Sequence, residues 1–142
     1  MSTRHKAGVE TGELRPRITL TAEDHDRLSV LVHAAMKTVP EGASALADEL
    51  DRAHVLAKGR QPEHTVCMGC EVDFRDDTTG KVHKVRLVYP DEADISQGKV
   101  SVLTPVGTAL IGLRAGKSIT WETRNGDLRR LTALQVRAPQ PA

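Results

Sequence analysis

The spacing of apolar residues changes once along the chain, and this change limits the possible folds more than any other feature. Between residues 28 and 57, apolar side chains recur every three or four positions, the spacing of one helical face. After a polar, proline-containing segment at 60–64, residues 71–75 alternate between polar and apolar, as a half-buried strand does. Helices that precede the strands, rather than alternating with them, predict an α+β fold.

Two amphipathic helices account for the N-terminal half. Thr21, with an acid three residues later, predicts a helix N-cap. The segment 39–42 contains a proline and a glycine, which end this first helix. A second helix is expected to begin near Ala43 and to end just before Gly59. Together they predict a short antiparallel helical hairpin over residues 17–60.

The C-terminal half is typical of a small antiparallel sheet. The five predicted strands are 71–75, 81–89, 99–103, 118–122 and 128–136, and a short helix at 108–113 is expected to pack on them. The chain then divides into a flexible tail (1–16), the helical hairpin (17–60), a linker (61–69), the sheet domain (70–137) and a loose tail (138–142).

Composition and charge argue against several classes of function. The formal net charge is +1, which disfavours binding by phosphate neutralisation, so no sequence-specific nucleic-acid binding is expected. The N-terminus lacks the apolar stretch of a secretory signal, and no apolar segment is long enough to span a membrane. We therefore expect a cytoplasmic protein, and a monomer without a cofactor.

Cys67 and Cys70 form the only C-x-x-C in the chain. A structural zinc site needs four thiolate or imidazole ligands, usually as two spaced pairs, and the chain offers one pair. A thioredoxin-like redox site places C-x-x-C at the start of a helix, whereas a predicted strand follows here. Two cysteines are also too few for a disulfide framework. The pair is expected to be structural and to bind no metal.

Three acids cluster between two predicted strands, at Asp91, Glu92 and Asp94. One interpretation is a solvated loop rich in turn-forming residues. The other is an acidic contact for a basic partner, because complementary charge speeds encounter and fixes register. No nucleophile–base pair with a recognisable local motif and no phosphate-binding glycine loop is present, so we predict no catalytic residue.

An ordered series of motifs resembles the C-terminal domain of the bacterial Gre transcript-cleavage factors. The series reads VYPDEAD at 88–94, GKVSV at 98–102 and TPVGTALIG at 104–112. This resemblance implies an FKBP-like fold that docks on RNA polymerase beside its secondary channel. It implies that the polymerase is the partner, contacted by the following residues: Asp91, Glu92, Ala93, Asp94 and Pro105.

The N-terminal half is similar to a different branch, the regulators of nucleoside diphosphate kinase. Gre factors carry a long coiled coil with two acids at its tip that position a catalytic magnesium. Here the predicted helices are short, and the tip at Val39, Pro40 and Glu41 offers a single acid. The resemblance implies a non-enzymatic protein that binds RNA polymerase, competes with Gre factors and affects nucleoside diphosphate kinase levels.

Two alternatives to this function stay open. One is genuine transcript cleavage, with Glu41 at the hairpin tip acting inside the polymerase. The other is prolyl isomerisation, which only the FKBP-like fold would imply, although fold alone does not carry function. Isomerase pockets are lined by aromatic side chains, and this chain offers only Phe74, Tyr89 and Trp121.

Overall fold

The helical hairpin begins where the sequence predicts it. The computed structural model describes residues 16–123 and 125–139, so nearly all of the predicted N-terminal tail and the end of the predicted C-terminal tail lie outside the described residues. Helix α1 spans Ala22–Ala35. Thr21 caps it, because its hydroxyl accepts a hydrogen bond of 3.0 Å from the amide of Asp24. The buried face consists of Leu28, Val32 and Ala35.

Helix α2 spans Pro40–Arg52, so it begins and ends earlier than predicted. Proline suits the first helical position, where its missing N–H would have no helical partner. The helix ends because the next residues, His54–Val55 (β2), pair in parallel with Thr19–Leu20 (β1). The predicted extension to Gly59 is therefore wrong, since this strand pairing overrides local helix propensity.

Five strands form the main sheet, in the order β5-β4-β3-β7-β6. They are β3 (Glu71–Asp76), β4 (Val82–Val88), β5 (Lys99–Ser101), β6 (Ser118–Glu122) and β7 (Leu128–Arg137). The predicted α+β architecture is confirmed, with one correction. Strands β4 and β5 are parallel, because two short 3₁₀ turns carry the chain back along the sheet edge before β5 begins.

The short helix α3 spans Pro105–Leu110, three residues earlier than predicted. The hydroxyl of Thr104 accepts a hydrogen bond of 3.1 Å from the amide of Gly107, and Pro105 occupies the first helical position. Just past its end, Gly112 has φ +75° and lies so close to Ile18 that an added Cβ would be 2.7 Å from the Ile18 Cβ. The residues just after α3 therefore pack directly against Ile18 in the N-terminal half.

Hairpin and sheet share one hydrophobic core. It contains fully buried side chains from both halves, among them Ile18, Leu28, Leu46, Val72, Leu87 and Leu110. The hairpin is therefore fixed to the sheet by apolar burial, and it does not project as a separate arm.

None of the helices in the described part of the chain is long and apolar enough to cross a membrane.

Candidate partner-binding surface

The acidic loop, residues 91–94, leaves the sheet where β4 ends. Pro90 starts a single 3₁₀ turn that presents Asp91, Glu92 and Ala93 to solvent. Among the residues that the structure describes, none forms a hydrogen bond or ion pair with the carboxylate of Asp91 or Glu92. Both carboxylates are therefore available to a partner.

Asp94 differs from the other acids of the loop because its carboxylate already serves the local fold. Its Oδ1 accepts hydrogen bonds from the amide of Ser96 at 3.1 Å and from the Ser96 hydroxyl at 2.6 Å. Its backbone exchanges two hydrogen bonds of 2.9 Å with Lys99 at the start of β5. Asp94 thus fixes the conformation of the acidic loop, and Asp91 and Glu92 remain as its free charges.

The base of the acidic loop lies against the first turns of α1. Burial raises the pKa of Tyr89, and the nearby carboxylate of Asp24 raises it further, whereas Arg27 opposes the change. Burial also raises the pKa of Asp24, although a hydrogen bond from the amide of Met68 at 3.1 Å acts in the opposite direction. Tyr89, which directly precedes the turn that begins at Pro90, is therefore half-buried close to Asp24 and Arg27 of α1.

Pro105 lies at the same end of the sheet as Asp91. Strands β4 and β5 run in parallel with Val88 opposite Ser101, so the residues that follow the two strands emerge at the same end of the sheet. Asp91 follows the end of β4, and Pro105 begins α3 after the end of β5. The structure thus brings Asp91 and Pro105, two of the predicted contact residues, to the same end of the sheet.

The hairpin tip packs against the segment that leads into α3. Val39, Pro40 and Glu41 are exposed, but the next residue, Gly42, lies against the backbone of Leu103. An added Cβ on Gly42 would be 2.5 Å from the Leu103 carbonyl oxygen. Across the described residues, no group of three or more His, Cys, Asp or Glu side chains could hold a metal ion. Glu41 is accordingly a single carboxylate on a tip held close to the sheet domain.

A cleft of about 730 Å³ separates this tip from strand β6. Four acids line it together with an aromatic and four branched aliphatic side chains: Glu41, Asp48, Glu49, Glu122, Trp121, Val39, Leu103, Ile119 and Leu128. Pro105 also lines the cleft, whereas none of the residues of the acidic loop does. Sequence reasoning missed this cleft, because its acids come from distant positions and no local motif links them.

The two cysteines are joined by a disulfide in the loop that precedes β3. The sequence predicted a structural pair without metal or disulfide framework, and it did not predict this bond. A bridge between Cys67 and Cys70 closes only a local turn, so it does not make such a framework.

Comparison with known proteins matches both halves of the chain. Residues 61–138 match the family described as "Transcription elongation factor, GreA/GreB, C-term", and residues 16–56 match "Rnk N-terminus". The chain is 37% identical over 122 residues to "Regulator of nucleoside diphosphate kinase" from Escherichia coli (strain K12), covering 86% of this chain and 90% of that protein. The chain belongs to this Gre-related family of regulators.

The chain is also similar to transcription elongation factors, both in sequence and in structure. It is 38% identical over 97 residues to "Transcription elongation factor GreA" from Alkalilimnicola ehrlichii, covering 68% of this chain and 58% of that protein. The solved structure "Prokaryotic transcription elongation factor GreA/GreB from Nitrosomonas europaea" superposes with a TM-score of 0.67 at 34% identity, covering 87% of this chain and 99% of that chain. The fold and the recognition of the family from sequence are thus confirmed.

Proposed function

We propose that this family member is a non-enzymatic regulator that binds RNA polymerase near its secondary channel through the sheet domain. In the cytoplasm it competes with Gre factors for that site and thereby affects nucleoside diphosphate kinase levels. The names of its relatives, an elongation factor and a regulator, support a role in transcription without catalysis.

The observation that carries the proposal is the position of the hairpin tip. Helix α2 has 13 residues, which is about 20 Å at 1.5 Å per residue, and its first turn packs on the backbone of Leu103. Magnesium-dependent chemistry on phosphates requires carboxylates placed together at the reacting atoms. A short hairpin held against its own domain, with Glu41 alone at the tip, favours occupying the polymerase over cutting its RNA.

The contact surface that we propose consists of Asp91, Glu92 and Ala93 with Pro105 beside them. The two exposed carboxylates have no internal partner among the described residues, so complementary basic groups would gain attraction without breaking native contacts. Asp94 contributes by holding the loop in shape.

A direct binding assay with RNA polymerase tests this surface. Like charges brought together at an interface cost several kcal/mol, so Asp91→Arg combined with Glu92→Arg should weaken binding by more than about tenfold. The loss should shrink as salt is added, because exposed charges are screened. The matched control is Asp51→Arg combined with Glu63→Arg, which reverses two exposed acids outside the acidic loop. Equal binding by both double variants would sink the docking proposal.

A cleavage assay separates the proposal from transcript cleavage by the hairpin tip. Backtracked polymerase complexes should release no additional short RNA when the protein is added, and release stimulated by a Gre factor should fall as the protein is titrated in. Stimulated release that disappears with Glu41→Ala would instead establish the cleavage function.

The placement of the aromatic residues gives the isomerase alternative no support. Phe74 is buried and stacks on His83 with ring centroids 5.2 Å apart, and Tyr89 is half-buried beside α1. Of the three aromatics, only Trp121 lines the cleft.

A further inference from the structure

The loop that carries the disulfide, residues 67–70, is asymmetric in its access to solvent. Cys67 is partly exposed, whereas Cys70 is only 1% exposed and its sulfur faces the carbonyl of Thr65 at 3.9 Å. Thiol–disulfide exchange proceeds by attack of a thiolate on one sulfur, so its course depends on which sulfur an external thiol can reach. Cys67 is the more exposed of the two residues, which makes its sulfur the expected point of attack.

The same loop connects the two halves of the molecule. The amide of Met68 donates a hydrogen bond of 3.1 Å to Asp24 on α1. The next residue, Gly69, donates to the carbonyl of Leu87 at 2.7 Å and accepts from the guanidinium of Arg86 at 2.7 Å. The backbone between the two cysteines is therefore hydrogen-bonded to the hairpin on one side and to β4 on the other.

Closing so short a ring adds little to global stability. The entropy that a disulfide removes from the unfolded chain grows with the number of residues it encloses, and this one joins positions separated by three. The bond mainly sets the local shape of the Met68–Gly69 turn, in which Gly69 has φ +84°. Making or breaking this bond thus acts on the contact between hairpin and sheet more than on the fold as a whole.

We propose that Cys67 and Cys70 form a reversible oxidative modification site. One thiolate of a dithiol reductant attacks Sγ of Cys67 and forms a mixed disulfide with it. The Cys67–Cys70 bond breaks, and Cys70 leaves as a thiolate that takes up a proton. The second thiol of the reductant then displaces Cys67, so the reductant is oxidised and the protein gains two protons and two electrons. A disulfide oxidant such as oxidised glutathione reverses the sequence through a mixed disulfide on Cys67.

The site is a substrate of thiol chemistry and not an oxidoreductase. Strand β3 begins directly after Cys70, so the cysteines lack the helix N-terminus that stabilises the attacking thiolate in thioredoxin-like proteins. In a reducing compartment such a pair persists as two thiols, and oxidation closes the bond. The proposal is independent of polymerase binding.

Alkylation of the folded protein tests the site directly. The protein is reduced with thioredoxin, reoxidised with oxidised glutathione, and treated at each stage with iodoacetamide before mass analysis. We expect two modified cysteines after reduction and none after reoxidation. Reduction of the disulfide only after unfolding in denaturant would overturn the proposal, as would thiols that oxidised glutathione fails to close.

Single variants test the asymmetry of the two sulfurs. Cys70→Ser should leave a Cys67 thiol that forms a mixed disulfide with glutathione, whereas in Cys67→Ser the remaining Cys70 should react at least about tenfold more slowly, because it is buried. Faster reaction at Cys70 would contradict the proposed route.

Hydrogen exchange shows whether the bond acts on the contact between the two halves. In the reduced protein the Met68 amide should exchange at least about tenfold faster than in the oxidised protein, because its hydrogen bond to Asp24 is no longer fixed by the closed loop. The Thr108 amide, bonded to the Thr104 carbonyl at 2.9 Å at the start of α3, serves as the control and should not change. Equal exchange at Met68 in both states would overturn this part of the proposal.

Discussion

The hairpin tip and the acidic loop are both exposed acidic turns, but different forces hold them in place. The tip lies at the start of α2. The position of this helix depends on buried apolar residues such as Leu46 and on close packing of Gly42 against Leu103. The acidic loop keeps its shape through hydrogen bonds within its own sequence, made by Asp94 to Ser96 and Lys99. A turn fixed by local bonds can present its remaining carboxylates freely, whereas Glu41 moves only with the whole hairpin.

Removing the apolar anchor of α2 should have the largest effect on this contrast. Leu46 is fully buried, so Leu46→Ala should lower the free energy of unfolding by about 2–5 kcal/mol through lost burial and the remaining cavity. Denaturant unfolding measures the change. Ser44→Ala, an exposed position on the same helix, is the control and should change stability by less than about 0.5 kcal/mol. A similarly small loss for Leu46→Ala would mean that packing does not hold the hairpin on the sheet.

The contrast between packing and local bonding also explains what the sequence could predict. Strand β6 matched its predicted bounds, because its alternating side chains specify one strand without reference to distant residues. The end of α2 was missed, because β2 pairs with β1 and this long-range contact overrides the helix-forming residues that follow Arg52. Local sequence determines the first of these features and tertiary pairing determines the second.

The same reasoning applies to the candidate site. The grouping of Asp91 and Glu92 in one exposed turn could be predicted, because acids clustered in one loop stay clustered in the fold. The structural role of Asp94 depends on a turn geometry that composition does not specify. The cleft beside Trp121 could not be predicted, since packing of α3 against both α2 and β6 gathers its acids from separate elements.

Removing the cap that Asp94 provides should lower stability less than Leu46→Ala does. It should also distinguish Asp94 from the other acids of the acidic loop. Asp94→Ala removes the acceptor for the Ser96 amide and hydroxyl, and loss of a capping carboxylate costs about 0.5–2 kcal/mol. Asp91→Ala, the matched control, should change stability by less than about 0.5 kcal/mol, because its carboxylate is exposed. Thermal unfolding of both variants measures the difference. If the two lose equal stability, Asp94 is not the residue that shapes the loop.

The smallest expected change in stability concerns Asp24, which lies in the first turn of α1, far along the hairpin from its tip. Burial raises its pKa above 3.8, so the folded protein holds this proton to higher pH than the unfolded chain does. Below pH 3.8 both states are protonated. As pH rises from there through the raised pKa, the unfolded state ionises first, and the contribution of Asp24 to stability falls.

Asp24→Asn should therefore remove this loss while keeping an oxygen that accepts the hydrogen bond from Met68. Relative to the unsubstituted protein, the variant should gain stability as pH rises from about 4 to 7. The gain should stay below about 1 kcal/mol, because Asp24 is only partly buried and solvent screens its charge. Glu23→Gln, at an exposed acid in the same first turn, controls for the loss of negative charge near the helix N-terminus. Urea unfolding across this pH range measures the difference, and a variant that loses stability with rising pH would show that the Asp24 carboxylate is better satisfied in the fold than its burial implies.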